Sequence, residues 1–168
     1  MKTTFGPASC GALLIRPATL RDALRIAPLI RREDVAEWIA LAPLHQAPSI
    51  AHSLLWGVSR GEAWYGEEES GAPVAIGGLC VHDGVAAPWL MATPAIACHG
   101  KAALGYGRAS LRAWKERGLP LRNLVSARHG RALRYIAACG YELLGSVSVQ
   151  GERLFLFGTG RELCAIRQ

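Results

Sequence analysis

Residues 123–141, reading Asn-Leu-Val-Ser-Ala-Arg-His-Gly-Arg-Ala-Leu-Arg-Tyr-Ile-Ala-Ala-Cys-Gly-Tyr, constrain the fold of this chain more than any other stretch. Leu124, Val125 and Ala127 suit a buried strand, and Arg128, His129 and Gly130 form a polar turn. Ala132, Leu133, Ile136 and Ala137 then fall on one side of a helix. Gly140 fits the left-handed position just past the helix end, where a side chain would clash, and Tyr141 opens another strand. Strand, turn, helix and strand thus form one supersecondary unit.

The same signals extend along the chain. Residues 12–16 read as a strand, and Thr19 caps a helix with Leu20, Leu24, Ala27 and Leu29 or Ile30 turned inward. A second helix is predicted over 33–41, a loop between Pro43 and Pro48, and a third helical stripe through Ile50, Leu54, Leu55 and Val58. Residues 62–67 and 73–81 form a hairpin across the acidic turn at 68–71, and strand 88–93 follows the Asp83-Gly84 turn. A helix ending near Gly118 leads to the strand from Leu121, which must run parallel to strand 88–93, because a crossover helix joins them. Strands at 142–149 and 153–158 close the chain. There is no internal repeat or low-complexity linker. The predicted organisation is one domain over 1–168, with an N-terminal extension at 1–11 and a C-terminal tail at 159–168.

With 168 residues the chain can bury a core without staples. Cys10, Cys80, Cys98, Cys139 and Cys164 are odd in number, widely spaced and lack any Cys-x-x-Cys pair, so they read as reduced, mostly buried thiols, with no metal or disulfide framework. No stretch reads as a secretory signal or membrane span, which predicts a cytoplasmic protein without a membrane partner. The formal charge of +6 is concentrated, since residues 101–134 hold nine Lys/Arg against one Glu, a net +8. Such a field attracts phosphates, nucleic acid or an acidic protein face, and the bland alternative is a solvated helix face. Nucleic acid is the less suited partner, because no stacking array of aromatics accompanies the arginines.

The unit at 123–141, Asn, two residues, Ala, a short helix and Gly-aromatic, resembles the C-terminal segment of the GNAT N-acetyltransferase fold, and the predicted element order matches that fold throughout. Ile-Arg-Pro-Ala-Thr at 15–19, Gly61-Glu62-Ala63-Trp64, Pro73-Val74-Ala75 and Pro88-Trp89-Leu90 look like one branch, the GNAT-like internal virion protein A of short-tailed bacteriophages. The resemblance covers roughly residues 12–158. It implies an α/β domain with a mixed, mostly antiparallel splayed sheet and helices on both faces. It also implies acetyl-CoA as the cofactor, a phage or host protein as partner, and a location in the host cytoplasm or the virion.

An active member of that family holds the cofactor pyrophosphate on backbone N–H groups at a helix start, through Gln/Arg-x-x-Gly-x-Gly/Ala. Two registers compete here. Residues 102–107 keep glycines at Gly105 and Gly107 but begin with Ala, whereas His99-Gly100-Lys101 lies closer to the strand but puts Ala102 and Leu104 at the glycine positions. The bland alternative is one helix over 101–117 with Ala103, Gly107, Leu111 and Trp114 facing inward, tolerating two interior glycines at about 1 kcal/mol each. The cofactor candidates are therefore Lys101, Gly105, Gly107 and Asn123.

Acetyl transfer to an amine needs a base and a donor for the leaving thiolate. Strands 88–93 and 121–127 contain no carboxylate, and the slot where the family often places a thiolate-protonating Tyr holds Ile136, one residue after Tyr135. Tyr135 accordingly reads as packing. His82 and Asp83 sit at a strand end that could reach the cleft, His129 reads as a helix cap, and Cys139 lacks a flanking base. No catalytic residue is assigned. The sequence thus predicts a phage GNAT scaffold tied to virion assembly or the particle, with activity weak or lost. The alternative is an acetyl-CoA-dependent N-acetyltransferase acting on a host protein or small amine.

Overall fold

Capping and turn residues fix where most elements begin and end. The computed structural model describes residues 3–5, 12–41 and 48–159. After a short strand β1 (Thr3–Phe5), β2 (Leu13–Pro17) leads to α1 (Leu20–Ile26), a 3₁₀ turn (Ala27–Leu29), α2 (Arg32–Ala40) and α3 (Ile50–Arg60). Strands β3 (Glu62–Glu68), β4 (Pro73–His82) and β5 (Val85–Ala92) follow, then a 3₁₀ segment (Pro94–His99) continuous with α4 (Gly100–Glu116). β6 (Arg122–Ser126), α5 (Gly130–Cys139), β7 (Glu142–Val149) and β8 (Glu152–Gly158) complete the described chain. Asp83 and Gly84, at φ 49° and 76°, make a two-residue turn between β4 and β5, and Gln150 and Gly151, at φ 48° and 80°, do the same between β7 and β8. That mirror-image turn suits the twist of paired strands.

The strands form an antiparallel sheet in the order β1-β2-β3-β4-β5 and a second antiparallel sheet in the order β6-β8-β7. The two join at one parallel bridge, Ala86 to Leu121, where the Ala86 N–H donates to Pro120 O at 2.9 Å. β5 and β6 are thus parallel, as the crossover helix requires, but the predicted pairing is confined to this bridge. One face buries Ala23, Ile26, Leu54, Tyr65 and Ile76 under α1 and α3. The opposite face buries Leu79, Ala86, Leu111 and Leu121 under α4, and Val125, Ile136 and Phe157 under α5.

Three expectations need correction. Within the supposed N-terminal extension, Thr3–Phe5 pairs antiparallel with Leu13–Ile15, covering hydrogen-bonding groups that β2 would otherwise expose. In α1, Leu20 and Leu24 are about half exposed, as is Leu29 beyond it, whereas Ala23 and Ile26 are buried. The cause is Asp22: it closes a capping box with Thr19 and takes two 2.7 Å hydrogen bonds from the Arg16 guanidinium on β2, which sets the rotation of α1. Lastly, Cys98 is exposed, while Cys80 and Cys139 are buried free thiols as expected. Pro43, Cys10, Cys164 and the tail from residue 160 lie outside the described residues. Among the described helices none is long and apolar enough to cross a membrane.

Candidate functional site

Backbone hydrogen bonding explains why the sheet opens. Pairing with β4 uses the inward edge of β5, and the Thr93 N–H donates to Val74 O, so Ala86, Pro88, Leu90 and Ala92 turn their backbone groups toward β6. Ala86 makes the bridge. Pro88, next on that edge, has no N–H to continue a ladder, and β5 and β6 diverge beyond it. On β6, pairing with β8 leaves Arg122, Leu124 and Ser126 facing the gap. Leu90 and Leu124 therefore present backbone polar groups to the splay, toward neither sheet, and Leu90 stays 41% exposed in mid-strand.

At the open end α2 bridges the two edges. Asp34 accepts the Ala92 N–H at 2.8 Å, and the Arg31 N–H donates to Ala92 O at 2.9 Å. Three residues on, one helical turn, Glu37 accepts the Ser126 N–H at 2.8 Å. Asp34 also takes Arg31 Nε at 2.8 Å and contacts His129 Nε2 at 2.8 Å. His129 caps α5, its Nδ1 accepting the Ala132 N–H at 3.4 Å, so Nε2 carries the proton and donates to Asp34. Asp34 and His129 are both buried. Burial raises the Glu37 carboxyl above the usual range, opposed by the Ser126 N–H.

Beside this clasp lies a cleft of about 210 Å³ whose walls include Glu33, Glu37, Ser126, Arg128 and Glu152. Ser126 Oγ donates to Glu152 Oε1 at 2.6 Å, and Arg128 Nε lies 3.2 Å from Glu152 Oε2. A wider groove of about 550 Å³ between α1, α2 and α3, walled by Leu24, Val35, Trp38 and Ile50, carries no ionisable side chain among the described residues. The ionisable side chains gather at the smaller, polar cleft. Among the described residues no group of His, Cys, Asp and Glu could hold a metal ion.

The structure separates the sequence candidates. Gly105 and Gly107, candidates for a cofactor loop, both lie inside α4, where the helix uses their N–H groups. Gly107 is a packing residue, since a Cβ there would overlap Tyr135 Oη and sit 2.7 Å from Cys139 Sγ; Gly105 faces open space. Lys101 is exposed in the first turn of α4, behind Gly100. His99 itself is fully buried, with Nε2 3.1 Å from Glu68 Oε1. Asn123 lies on β6 opposite Phe157, on the face of Leu121 and Val125 rather than on the edge that borders the splay. It and Lys101 are not brought together with the α2 clasp.

Tyr135 packs as expected, its hydroxyl donating to Ala103 O at 3.1 Å, with burial raising the phenol far above its usual range. Burial also raises the Cys139 thiol, which suits an unreactive core position. His82 and Asp83 are exposed at the β4–β5 turn, at the bridged end of β5, so they do not reach the open end. The residues that sequence reading missed are Asp34 and Glu37. Their i, i+3 spacing beside Val35 and Trp38 was the available signal.

The splay fits an amide-bearing arm such as that of acetyl-CoA in part: Leu90 and Leu124 offer it strand-edge partners. The pyrophosphate end fits less well. The 3₁₀ segment runs directly into α4, the N–H groups of Ala95 and Ile96 turn back to Thr93, and no open glycine loop precedes the helix.

No protein-family model matches the sequence, and no curated protein matches it closely enough to count as a relative. Solved structures do match. A phosphinothricin acetyltransferase of Sinorhizobium meliloti in complex with acetyl-CoA superposes with a TM-score of 0.62 at 18% identity, covering 88% of this chain and 87% of that one. An aminoglycoside acetyltransferase in complex with coenzyme A gives 0.62 at 16% identity over 89% and 95%. A spermidine/spermine N-acetyltransferase of Vibrio cholerae gives 0.59 at 13% identity over 89% and 95%. The chain has the mixed α/β GNAT acetyltransferase fold.

Proposed function

We propose that this chain is an acetyl-CoA-dependent N-acetyltransferase whose acceptor is a small amine or a lysine-bearing protein segment entering the polar cleft beside α2. Glu37 carries this reading: a carboxylate at the open end of the splay, raised by burial, with one oxygen held by the Ser126 N–H. Acetyl-CoA would supply the acetyl thioester. Glu37 would take the proton that an ammonium acceptor must lose before its nitrogen attacks the thioester carbonyl; the C–S bond would then break, with the thiolate taking the second nitrogen proton through solvent to leave as the free thiol, and Glu33 and Glu152 would favour the approach of the cation. Asp34 and His129 are structural in this scheme; they tie α2 to β5 and to the start of α5. Leu90 and Leu124 would orient the cofactor arm through backbone bonds.

The test is thiol release from acetyl-CoA in the presence of a panel of primary amines, with Glu37→Gln as the comparison. Glutamine keeps the acceptor for Ser126 but not the base, so a loss of about 10²-fold or more in kcat is expected. Absence of thiol release across the panel, or a rate unchanged by Glu37→Gln, counts against the proposal.

A second reading is favoured by the 3₁₀ segment Pro94–His99, which leaves α4 without a glycine loop. Here the scaffold binds a partner and turns over slowly or not at all, in the phage-particle and host-cytoplasm setting that the sequence resemblance implies. Calorimetry with acetyl-CoA separates the two, because a scaffold without a cofactor site gives no heat.

A further inference from the structure

The two outer edges of the sheet system differ. On one side β1 covers the edge of β2. On the other, β7 has β8 on one side and no described strand on its outer side. The two-residue turn at Gln150 and Gly151 makes Val149 and Glu152 a hydrogen-bonded pair, so Val147 and Gly145 also bond inward to Leu154 and Leu156. Ser146 and Ser148, in between, turn their backbone N–H and C=O groups outward, and both are exposed. Residues 143–150, Leu-Leu-Gly-Ser-Val-Ser-Val-Gln, contain no charge and no proline. Folded proteins ordinarily blunt such an edge with lysine, proline or a covering segment.

We propose that β7 pairs antiparallel with β7 of a second copy of this chain, about a two-fold axis at Val147. The register is self-complementary. Ser146 meets Ser148 of the other copy and Ser148 meets its Ser146, so both outward-facing residues of each strand form hydrogen-bonded pairs, giving four backbone bonds. Val149 falls opposite Gly145 of the other copy, where a side chain has open space to occupy. The uncharged run removes the like-charge repulsion that ordinarily prevents a strand from meeting itself. A contact of this length is well below a standard interface of about 1,600 Å², so the dimer is weak and its population depends on protein concentration.

Sedimentation equilibrium of the full chain over a concentration series tests this with two variants. Ser146→Lys with Ser148→Lys opposes like charges at both pairs and should leave a monomer. Ser146→Lys with Ser148→Glu places Lys opposite Glu at both pairs and should retain the dimer, now weakened by salt. Amide hydrogen exchange on the unmodified chain is a second readout, with protection at Ser146 and Ser148 expected to rise with protein concentration. A wild-type monomer at every concentration, concentration-independent exchange at both serines, or a dimer indifferent to the two-lysine change overturns the proposal. Loss of the dimer in both variants, with thermal melts showing both folded, overturns the register.

Discussion

Glu37 on α2 accepts the Ser126 N–H on β6 at 2.8 Å across 89 residues of sequence, at the point where β6 no longer has β5 beside it. One side chain thus closes a strand edge and stands at the mouth of the splay. Burial raises its carboxyl, so at mildly acidic pH more of it is protonated than of an exposed glutamate. The base is the ionised form. Thiol release should therefore rise with pH through that raised value and level off above it, and the Glu37→Gln variant should lose this rising limb. A pH series of kcat/KM for both proteins checks this.

Asp34 has the larger structural role. It receives the Ala92 N–H, the Arg31 guanidinium and the His129 Nε2–H while buried. Asp34→Ala leaves a buried imidazole N–H and a buried backbone N–H without an acceptor, and the partly buried Arg31 guanidinium without its ion pair, and should lower the free energy of unfolding by about 3–5 kcal/mol. Urea denaturation checks it. His129→Ala leaves Asp34 with two partners and should cost less.

The two α4 glycines should respond in opposite directions. Gly105→Ala adds a methyl in open space to a helix interior and should stabilise by about 1 kcal/mol. Gly107→Ala drives a methyl into Tyr135 and Cys139 and should destabilise by about 1–3 kcal/mol, separating α4 from α5. Thermal melts read both. Acetyl-CoA binding measured by calorimetry should be unchanged by Gly105→Ala, because that glycine lies in the helix interior.

Much of this architecture was legible because its signals are local. His129 and Gly140 bracket α5 at Gly130–Cys139, and the Asp-Gly turn fixes the β4–β5 hairpin. The phase of α1 was not legible, since Leu20 and Leu24 outweigh Ala23 in any hydrophobic pattern, and only the Arg16–Asp22 pair decides which side turns in. The clasp was hidden for a related reason. Asp34 and Glu37 look like solvated helix acids until β5 and β6 present N–H groups that need acceptors, and that need arises from Pro88, far along the chain from both acids. Pro88 was visible in the sequence as a strand residue, but its effect depends on which edge of β5 it occupies.

Acid stability should depend on Asp22. The Arg16 guanidinium, with help from Thr19, holds its carboxyl down at about 2 instead of 3.8. A depressed carboxylate contributes stability that is fully present above the unfolded-state value and is lost as pH falls from about 4 toward 2. The shift corresponds to on the order of 2 kcal/mol. Asp22→Asn should be destabilised at neutral pH and should show a smaller further loss between pH 4 and 2. Urea unfolding at a series of pH values measures both.

The basic segment offers the last expectation. Arg108, Arg112 and Lys115 are all exposed on α4 and share one stripe through their i, i+4, i+7 spacing, with buried Leu111 at its border. Arg108 is not equivalent to the other two. Its Nε donates to Ala138 O at 2.9 Å near the C-terminal end of α5, so Arg108→Glu would set a carboxylate against helix-end carbonyls and disturb the α4–α5 contact as well as the surface charge. Arg112→Glu with Lys115→Glu changes the field by four charges without touching that bond. If the stripe meets an acidic face on a phage or host protein, this double reversal should weaken a salt-sensitive association by about tenfold or more while leaving the thermal melt within about 0.5 kcal/mol of wild type. A pull-down at two salt concentrations, with both proteins folded, decides it. Capture unaffected by the reversal makes the stripe an ordinary solvated helix face.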